Sequence, residues 1–223
     1  MKVLITAGGT REHIDEVRVL TNISTGKLGA QIADTIWMNS NVSKIFYICS
    51  KGSVIPSNAI GHESIIEVHY ADSVQEVYDI MEKLVPKCDV VIHSMAISDF
   101  GFKHSNTKLK SNDPEAFIDS LRERIVINPK IISFIKKWNP NIKLIGFKFE
   151  VNKTKDELID IAHESLVKND CDYVIANDKQ EMKDKNQHIA YIIDKDKNII
   201  ECSGKLDISL KIATKLLKNK SVK

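Results

Sequence analysis

Apolar runs and amphipathic segments alternate along most of this chain. Short apolar runs predict strands at Val3–Thr6, Lys44–Ile48, Ile65–His69, Val90–His93, Leu144–Phe147 and Tyr173–Ala176. Helical spacing appears near Thr25–Met38, Ser73–Leu84, Pro129–Trp138, Lys155–Lys168 and Leu206–Lys218. In the first of these helices Leu28, Ile32, Ala33 and Ile36 fall on one face. Such alternation, with short apolar strands, predicts a mostly parallel sheet covered on both faces. Late in the chain "HIAYIID" and "NIIECS" flank "KDKN", the pattern of a hairpin added to that sheet. The expected fold class is α/β: a doubly wound, mostly parallel, Rossmann-like sheet with an added late β-hairpin. No internal repeat, low-complexity stretch or linker divides it, so a single domain over residues 1–223 is expected.

Composition narrows the function classes. The 223 residues are 43% hydrophobic and 28% charged, as in an ordinary globular domain. A formal net charge of +2 gives no argument for a nucleic-acid partner. The basic end "KLLKNKSVK" reads as a frayed, solvated helix terminus. No apolar run approaches the roughly 18 residues of a spanning helix, and no secretory pattern opens the chain, so no membrane association and a cytoplasmic location are expected. Cys49, Cys88, Cys171 and Cys202 stand far apart without a C-x-x-C pair, which suits reduced thiols better than disulfides or zinc.

In open α/β sheets ligands bind beyond the carboxyl ends of the strands. This directs attention to the loops after Thr6, His93, Ile127, Phe147 and Ala176. The first, "AGGTREHIDEVRVLTNISTGKLG", fails both familiar phosphate motifs. The dinucleotide fingerprint requires G-x-G-x-x-G, but Gly8-Gly9 is followed by Thr10 and Arg11; the P-loop requires a glycine where Thr21 stands and a hydroxyl where Leu28 stands. The underlying physics can still operate. Gly8 and Gly9 allow close backbone approach, and Ser24, Thr25 and Gly26 stand at a helix N-terminus that favours an anion. Alternatively, Ser24 is an ordinary N-cap and the glycines form a turn. Asn22 and Arg18 favour the binding reading, because an amide and a guanidinium there suit carboxylate or phosphate.

A second group lies in "IHSMAISDFGFKHSNTKLKS". Ser94, Ala96 and Ser98 are small residues at a strand end, and Asp99 can accept from a sugar hydroxyl or a base amine. Lys108 and Lys110 read either as a solvated pair or as ligand cations on an extended segment. In "VINPKI", Asn128 and Pro129 have the order of an N-cap and a first helical residue. Phe147 lies at the next strand end, where its ring either stacks on a base or joins the core.

Taken in order, "ITAGGTREHIDEVRVLTNISTGKLG", "SMAISDF", "KLK", "INP", "GFKFE" and "KNDCDYVIANDK" resemble phosphopantothenoylcysteine synthetase, the phosphopantothenate–cysteine ligase of coenzyme A synthesis. The likeness spans roughly Val3 to Lys179 and most resembles a stand-alone bacterial form. It implies that the 4′-phosphopantothenate carboxylate attacks the α-phosphate of CTP, or of ATP, and that the cysteine amine then attacks the acyl-nucleotide. By motif match, Asn22 and Lys108 would be catalytic. Arg18, Asn22 and Ala96 would bind the acyl substrate, with Arg18 reaching across a homodimer interface. Gly8, Gly9, Ser94, Met95, Asp99, Lys108, Asn128, Pro129, Phe147 and Lys168 would bind the nucleotide. Mg²⁺ would arrive with the triphosphate, since no all-protein carboxylate cage is visible.

The chain departs from the family pattern in three places. Ser111 stands where the last lysine of a K-x-K-K segment is expected. Glu164 stands where some members carry a second phosphate lysine, four residues before Lys168. "FKFE" replaces the "FAAE"-like stretch of fused members. Two competing readings are an NAD(P)-dependent Rossmann-fold oxidoreductase and a non-catalytic nucleotide sensor. The oxidoreductase lacks both G-x-G-x-x-G and a Tyr-x-x-x-Lys pair.

Overall fold

A computed structural model describes residues 1–103, 105, 108–109 and 112–217. The first half contains β1 (Lys2–Ala7), β2 (Arg11–His13), β3 (Val19–Thr21), α1 (Lys27–Trp37), β4 (Lys44–Cys49), β5 (Ile66–Tyr70), α2 (Val74–Leu84), β6 (Val90–His93) and β7 (Phe100–Phe102). The second half contains α3 (Pro114–Arg124), β8 (Ile125–Ile127), α4 (Ile132–Trp138), β9 (Lys143–Glu150), α5 (Lys155–Lys168), β10 (Tyr173–Asp178), α6 (Lys179–Asp184), β11 (Ile189–Asp194), β12 (Ile199–Ser203) and α7 (Lys205–Leu217).

The central sheet runs β12-β11-β10-β9-β6-β1-β4-β5. Strands from β10 to β5 are parallel, and β11 and β12 add antiparallel pairs beyond β10, as the late hairpin predicts. From β1 the chain winds outward through β4 and β5, then returns to β6 on the other side of β1. That reversal makes a topological switch point between β1 and β6, where open α/β sheets place their ligands.

Both sheet faces are covered, which is why the strands read as continuous apolar runs. Along β1, Val3, Ile5 and Ala7 pack into one layer with residues of α1 and α7. Leu4 faces the opposite layer, with residues of α2, α4 and α5. These side chains are almost completely buried. Ser73 with Glu76, and Thr154 with Glu157, form capping boxes that fix where α2 and α5 begin.

Several boundaries differ from expectation for identifiable reasons. Helix α1 starts at Lys27, not Thr25, because Gly26 occupies the cap position in the left-handed region (φ 74°); Ser24 is therefore not its N-cap. Helix α4 starts at Ile132, so Asn128-Pro129 belongs to the irregular segment that precedes the helix and not to its first residues. Helix α3 was not predicted: none of its residues is buried, leaving no apolar stripe to read, although Asp113 caps it and Pro114 opens it. The pairs β2–β3 and β7–β8 have three-residue strands, too short to show a period. Of the basic end, residues 215–217 close α7 and residues 218–223 lie outside the described residues.

Candidate active site

Two clefts open at the carboxyl ends of β1, β6 and β9. The first, of about 380 Å³, is lined by Gly8, the Ile23–Gly29 segment, Ser94, Ala96, Phe147, Phe149, Asn177, Met182, His188 and Lys205. One end presents the start of α1, where no side chain caps the backbone amides. Such amides and the helix dipole favour an anion. Ile23, Leu28, Phe147, Phe149 and Met182 give the remaining wall apolar surface, with Asn177, His188 and Lys205 among them. An anion-binding end joined to apolar side chains suits an aliphatic molecule carrying a phosphate or carboxylate.

The second cleft, of about 580 Å³, lies on the other side of β6. His93, Met95, Ile97 and Asp99 reach it from β6 and its loop, Lys130–Ser133 from the start of α4, and Phe147 and Lys148 from β9. Ile161, Glu164, Ser165, Lys168 and Asn169 close it from α5. Asp99 is ion-paired with Lys130. Glu164 faces the same cleft as Lys168, so the acidic departure seen in the sequence does fall beside that lysine. Phe147 lines both clefts.

The opening loop connects the two. Asn22 donates from Nδ2 to the Ala96 carbonyl at 3.3 Å. Its own carbonyl packs so tightly on Gly9 that a Cβ there would stand 2.5 Å away, a contact only glycine permits. Thr10 ties the same loop to the segment after β6: its N–H donates to Ala96 O (3.1 Å) and its Oγ1 accepts from the Ser98 N–H (2.9 Å). Asn128 does not cap a helix. Its Nδ2 donates to Ser98 O at 3.1 Å, and its side chain also bonds Glu12. Burial raises the Glu12 carboxyl, opposed by the Val74 N–H, Asn128 and Thr10.

Arg18 pairs with buried Asp15 at 2.6 Å and lies over the Phe117 ring, 5.1 Å from its centroid. It therefore braces its own chain between β2–β3 and α3. Lys108 is exposed, and its neighbour Leu109 is bound by Asp15 and Arg18. Lys110 and Ser111 lie outside the described residues.

The predicted residues thus divide. Gly8, Ser94 and Ala96 line the first cleft; Met95, Asp99 and Lys168 line the second; Phe147 lines both. Gly9 and Asn22 support the loop between them, while Asn128 and Pro129 line neither cleft. Sequence reasoning gave no role to Asn177, His188 or Lys205. Asn177 does lie in the flagged strand-end segment "ANDK", but His188 and Lys205 reach the site only through the late strands and α7. Burial and nearby Lys205 both depress the His188 imidazole. All four cysteines are buried free thiols. Among the described residues no cluster of three or more His, Cys, Asp or Glu side chains is placed to hold a metal. No helix among them is long and apolar enough to cross a membrane.

Residues 1–219 match the family model described as the DNA/pantothenate metabolism flavoprotein C-terminal domain. The chain belongs to that family. Within the flavoprotein C-terminal domain family, it is 36% identical over 179 residues to the coenzyme A biosynthesis bifunctional protein CoaBC of Thermococcus kodakarensis, covering 79% of this chain and 41% of that protein. The CoaBC protein of Methanocaldococcus jannaschii is 33% identical over 219 residues, covering 97% of this chain and 50% of the relative. The chain therefore spans about half the length of the curated relatives it matches. A crystal structure of the DNA/pantothenate metabolism flavoprotein from Streptococcus pneumoniae superposes with a TM-score of 0.81 at 32% identity, covering 97% of this chain and 98% of that one. The Rossmann-like, doubly wound architecture is thus that of the flavoprotein C-terminal domain family.

Proposed function

We propose that this chain is a phosphopantothenate–cysteine ligase of coenzyme A biosynthesis. The observation that carries the reading is the pair of clefts flanking β6, with Phe147 common to both and the Asn22–Ala96 contact between them. A reaction joining an acyl substrate to a nucleotide needs two such pockets opening on one point. The relatives' names, which place them in coenzyme A biosynthesis, agree with it.

In this reading 4′-phosphopantothenate occupies the first cleft. Its phosphate meets the start of α1, its branched aliphatic part lies against Ile23, Phe147 and Phe149, and its carboxylate reaches the Asn22–Ala96 rim. The nucleoside triphosphate occupies the second cleft, among Met95, Asp99, Phe147 and Lys168. Gly8 and Ser94 then serve the acyl side, differing from the nucleotide role their motif implies. The carboxylate attacks the α-phosphate and pyrophosphate leaves. The cysteine amine next attacks the acyl carbon, forming the amide, and the nucleoside monophosphate departs.

Neither step needs a protein nucleophile, so the protein's task is positioning and charge stabilisation. Asn22 orients the carboxylate, and Lys108 offsets charge developing on the phosphate and the oxyanion. Mg²⁺ would accompany the triphosphate and neutralise its charge; Asp99 and Glu164 are the carboxylates on that cleft, and a hydrated ion bound through one or two such groups fits them. A homodimer is supported by apolar residues left exposed on the small strand pairs and α3, including Val17, Phe100, Ile118 and Ile127.

The test is incubation with CTP or ATP, 4′-phosphopantothenate and cysteine. Pyrophosphate release that requires phosphopantothenate is expected. Tight NADPH binding with no such release would instead support the oxidoreductase, which the family membership does not favour.

A further inference from the structure

His93, the last residue of β6, has no role in the scheme above. It is only 7% exposed, yet its ring lines the second cleft. One nitrogen is accounted for: Nδ1 lies 2.9 Å from Oγ1 of Thr6, whose side chain is fully buried. The Thr6 hydroxyl already accepts the Met95 N–H at 3.2 Å. Its own proton has one acceptor within reach among the described residues, His93 Nδ1. A hydroxyl donating to Nδ1 leaves the ring proton on Nε2. Burial pushes the imidazole down to about 4, so the ring stays neutral near pH 7. Nε2–H is therefore a neutral donor held in fixed orientation, without a protein acceptor among the described residues.

The surroundings indicate what it meets. Beside it the cleft wall is apolar, formed by Met95, Ile97, Ile131, Ile132 and Phe147. A phosphate would be drawn to the cleft's cations, Lys130, Lys148 and Lys168. A flat, uncharged heterocycle fits the apolar wall and supplies the acceptor that the donor lacks. We propose that His93 Nε2–H donates to the base of the bound nucleotide and so helps determine base specificity. This rests on the placement of the nucleotide in the second cleft.

The wild-type chain is first assayed with CTP and ATP; whichever supports turnover defines the nucleotide and its nucleoside. Failure of both would remove the ligase reading itself. With that reading intact, His93→Leu should weaken nucleotide and nucleoside binding about tenfold, leaving inhibition by inorganic tripolyphosphate and the KM for phosphopantothenate unchanged. His93→Gln, which retains an N–H donor, should recover part of the loss. Unchanged nucleoside affinity in His93→Leu, or an equal loss for tripolyphosphate, would overturn the proposal. If His93→Leu does not fold, ¹⁵N-resolved NMR of the wild-type imidazole decides. The Nε2–H tautomer is expected, with its ¹⁵Nε2 signal moving on addition of nucleoside but not of tripolyphosphate. An Nδ1–H tautomer, or a signal insensitive to nucleoside, refutes it.

Discussion

The Leu109 N–H donates to Asp15 Oδ2 at 3.0 Å, although the two residues are 94 positions apart in the chain. The same carboxylate accepts the Val17 and Arg18 N–H groups and the Arg18 guanidinium, and that guanidinium also donates to Leu109 O at 3.2 Å. Burial opposes ionisation of Asp15, but these donors outweigh it and hold the carboxyl at about 2. Lys108 is consequently fastened to the opening loop through its neighbour. Asp15→Asn supplies a single acceptor oxygen where a charged pair of oxygens served four donors. It should lower the melting temperature and reduce pyrophosphate release at least about tenfold through misplacement of Lys108. Turnover equal to wild type would show that the Lys108 segment finds its position without Asp15.

Lys108→Gln separates charge from scaffold. The Lys108 side chain is exposed, so its removal should leave the melting temperature within about a degree. Turnover should fall about 10- to 100-fold, as expected for loss of one group that stabilises developing charge. The KM for phosphopantothenate should change little, because the role is assigned to the transition state. A variant with wild-type kcat would take Lys108 out of the mechanism.

How much of this was legible in the sequence depended on burial. Strands such as Val90–His93 and the helix Lys155–Lys168 were read with their observed bounds, because buried faces and caps leave a period and a punctuation. Helix α3 and the strand pairs β2–β3 and β7–β8 escaped because surface elements of that kind carry no such stripe. The strand-end rule located the site loops. It could not tell the two clefts apart, since neighbouring residues in β6 and its loop face opposite ways: Ser94 and Ala96 to one cleft, His93 and Met95 to the other. Nor could it bring in His188 and Lys205, which depend on how the late strands and α7 fold back on the sheet.

Asn22→Asp tests the rim between the clefts. The substitution keeps size but removes the Nδ2 donor to Ala96 O and adds a negative charge where the substrate carboxylate is proposed to lie. Repulsion between two carboxylates in a partly desolvated site should raise the KM for phosphopantothenate and slow formation or use of the acyl-nucleotide, by about tenfold or more in kcat/KM. Rapid-quench detection of the acyl-nucleotide distinguishes the two steps. Wild-type kinetics would mean that the opening loop has a different task.

The proposed dimer gives a separate prediction. Ile127 is 84% exposed at the end of β8, and β7 of the same strand pair lies against β2. Ile127→Lys should convert a dimer to a species of half the mass in light scattering, since charge at the centre of an apolar interface is costly to desolvate. Turnover should fall with it if Arg18 serves the neighbouring subunit. A wild-type chain that is monomeric at all concentrations would exclude that use of Arg18.

Acid sensitivity follows from the buried histidines. Folding lowers the His93 pKa from about 6.5 to about 4, because burial disfavours the charged ring. Between those values the unfolded chain binds more protons, so stability rises with pH. The His93 contribution is complete above about pH 6.5 and is lost as pH falls toward 4, amounting to roughly 3 kcal/mol. His188 is shifted the same way by burial and by Lys205, and adds to the slope. Glu12, raised by burial, acts in the opposite sense at the acid end of this window. Asp15, held at about 2, changes its contribution mainly below pH 4. Urea midpoints should therefore fall steadily from pH 7 to pH 4.5, and His93→Gln should flatten the decline without abolishing it. An identical slope in wild type and His93→Gln would mean that the folded chain tolerates a charged His93, which its burial beside Thr6 argues against.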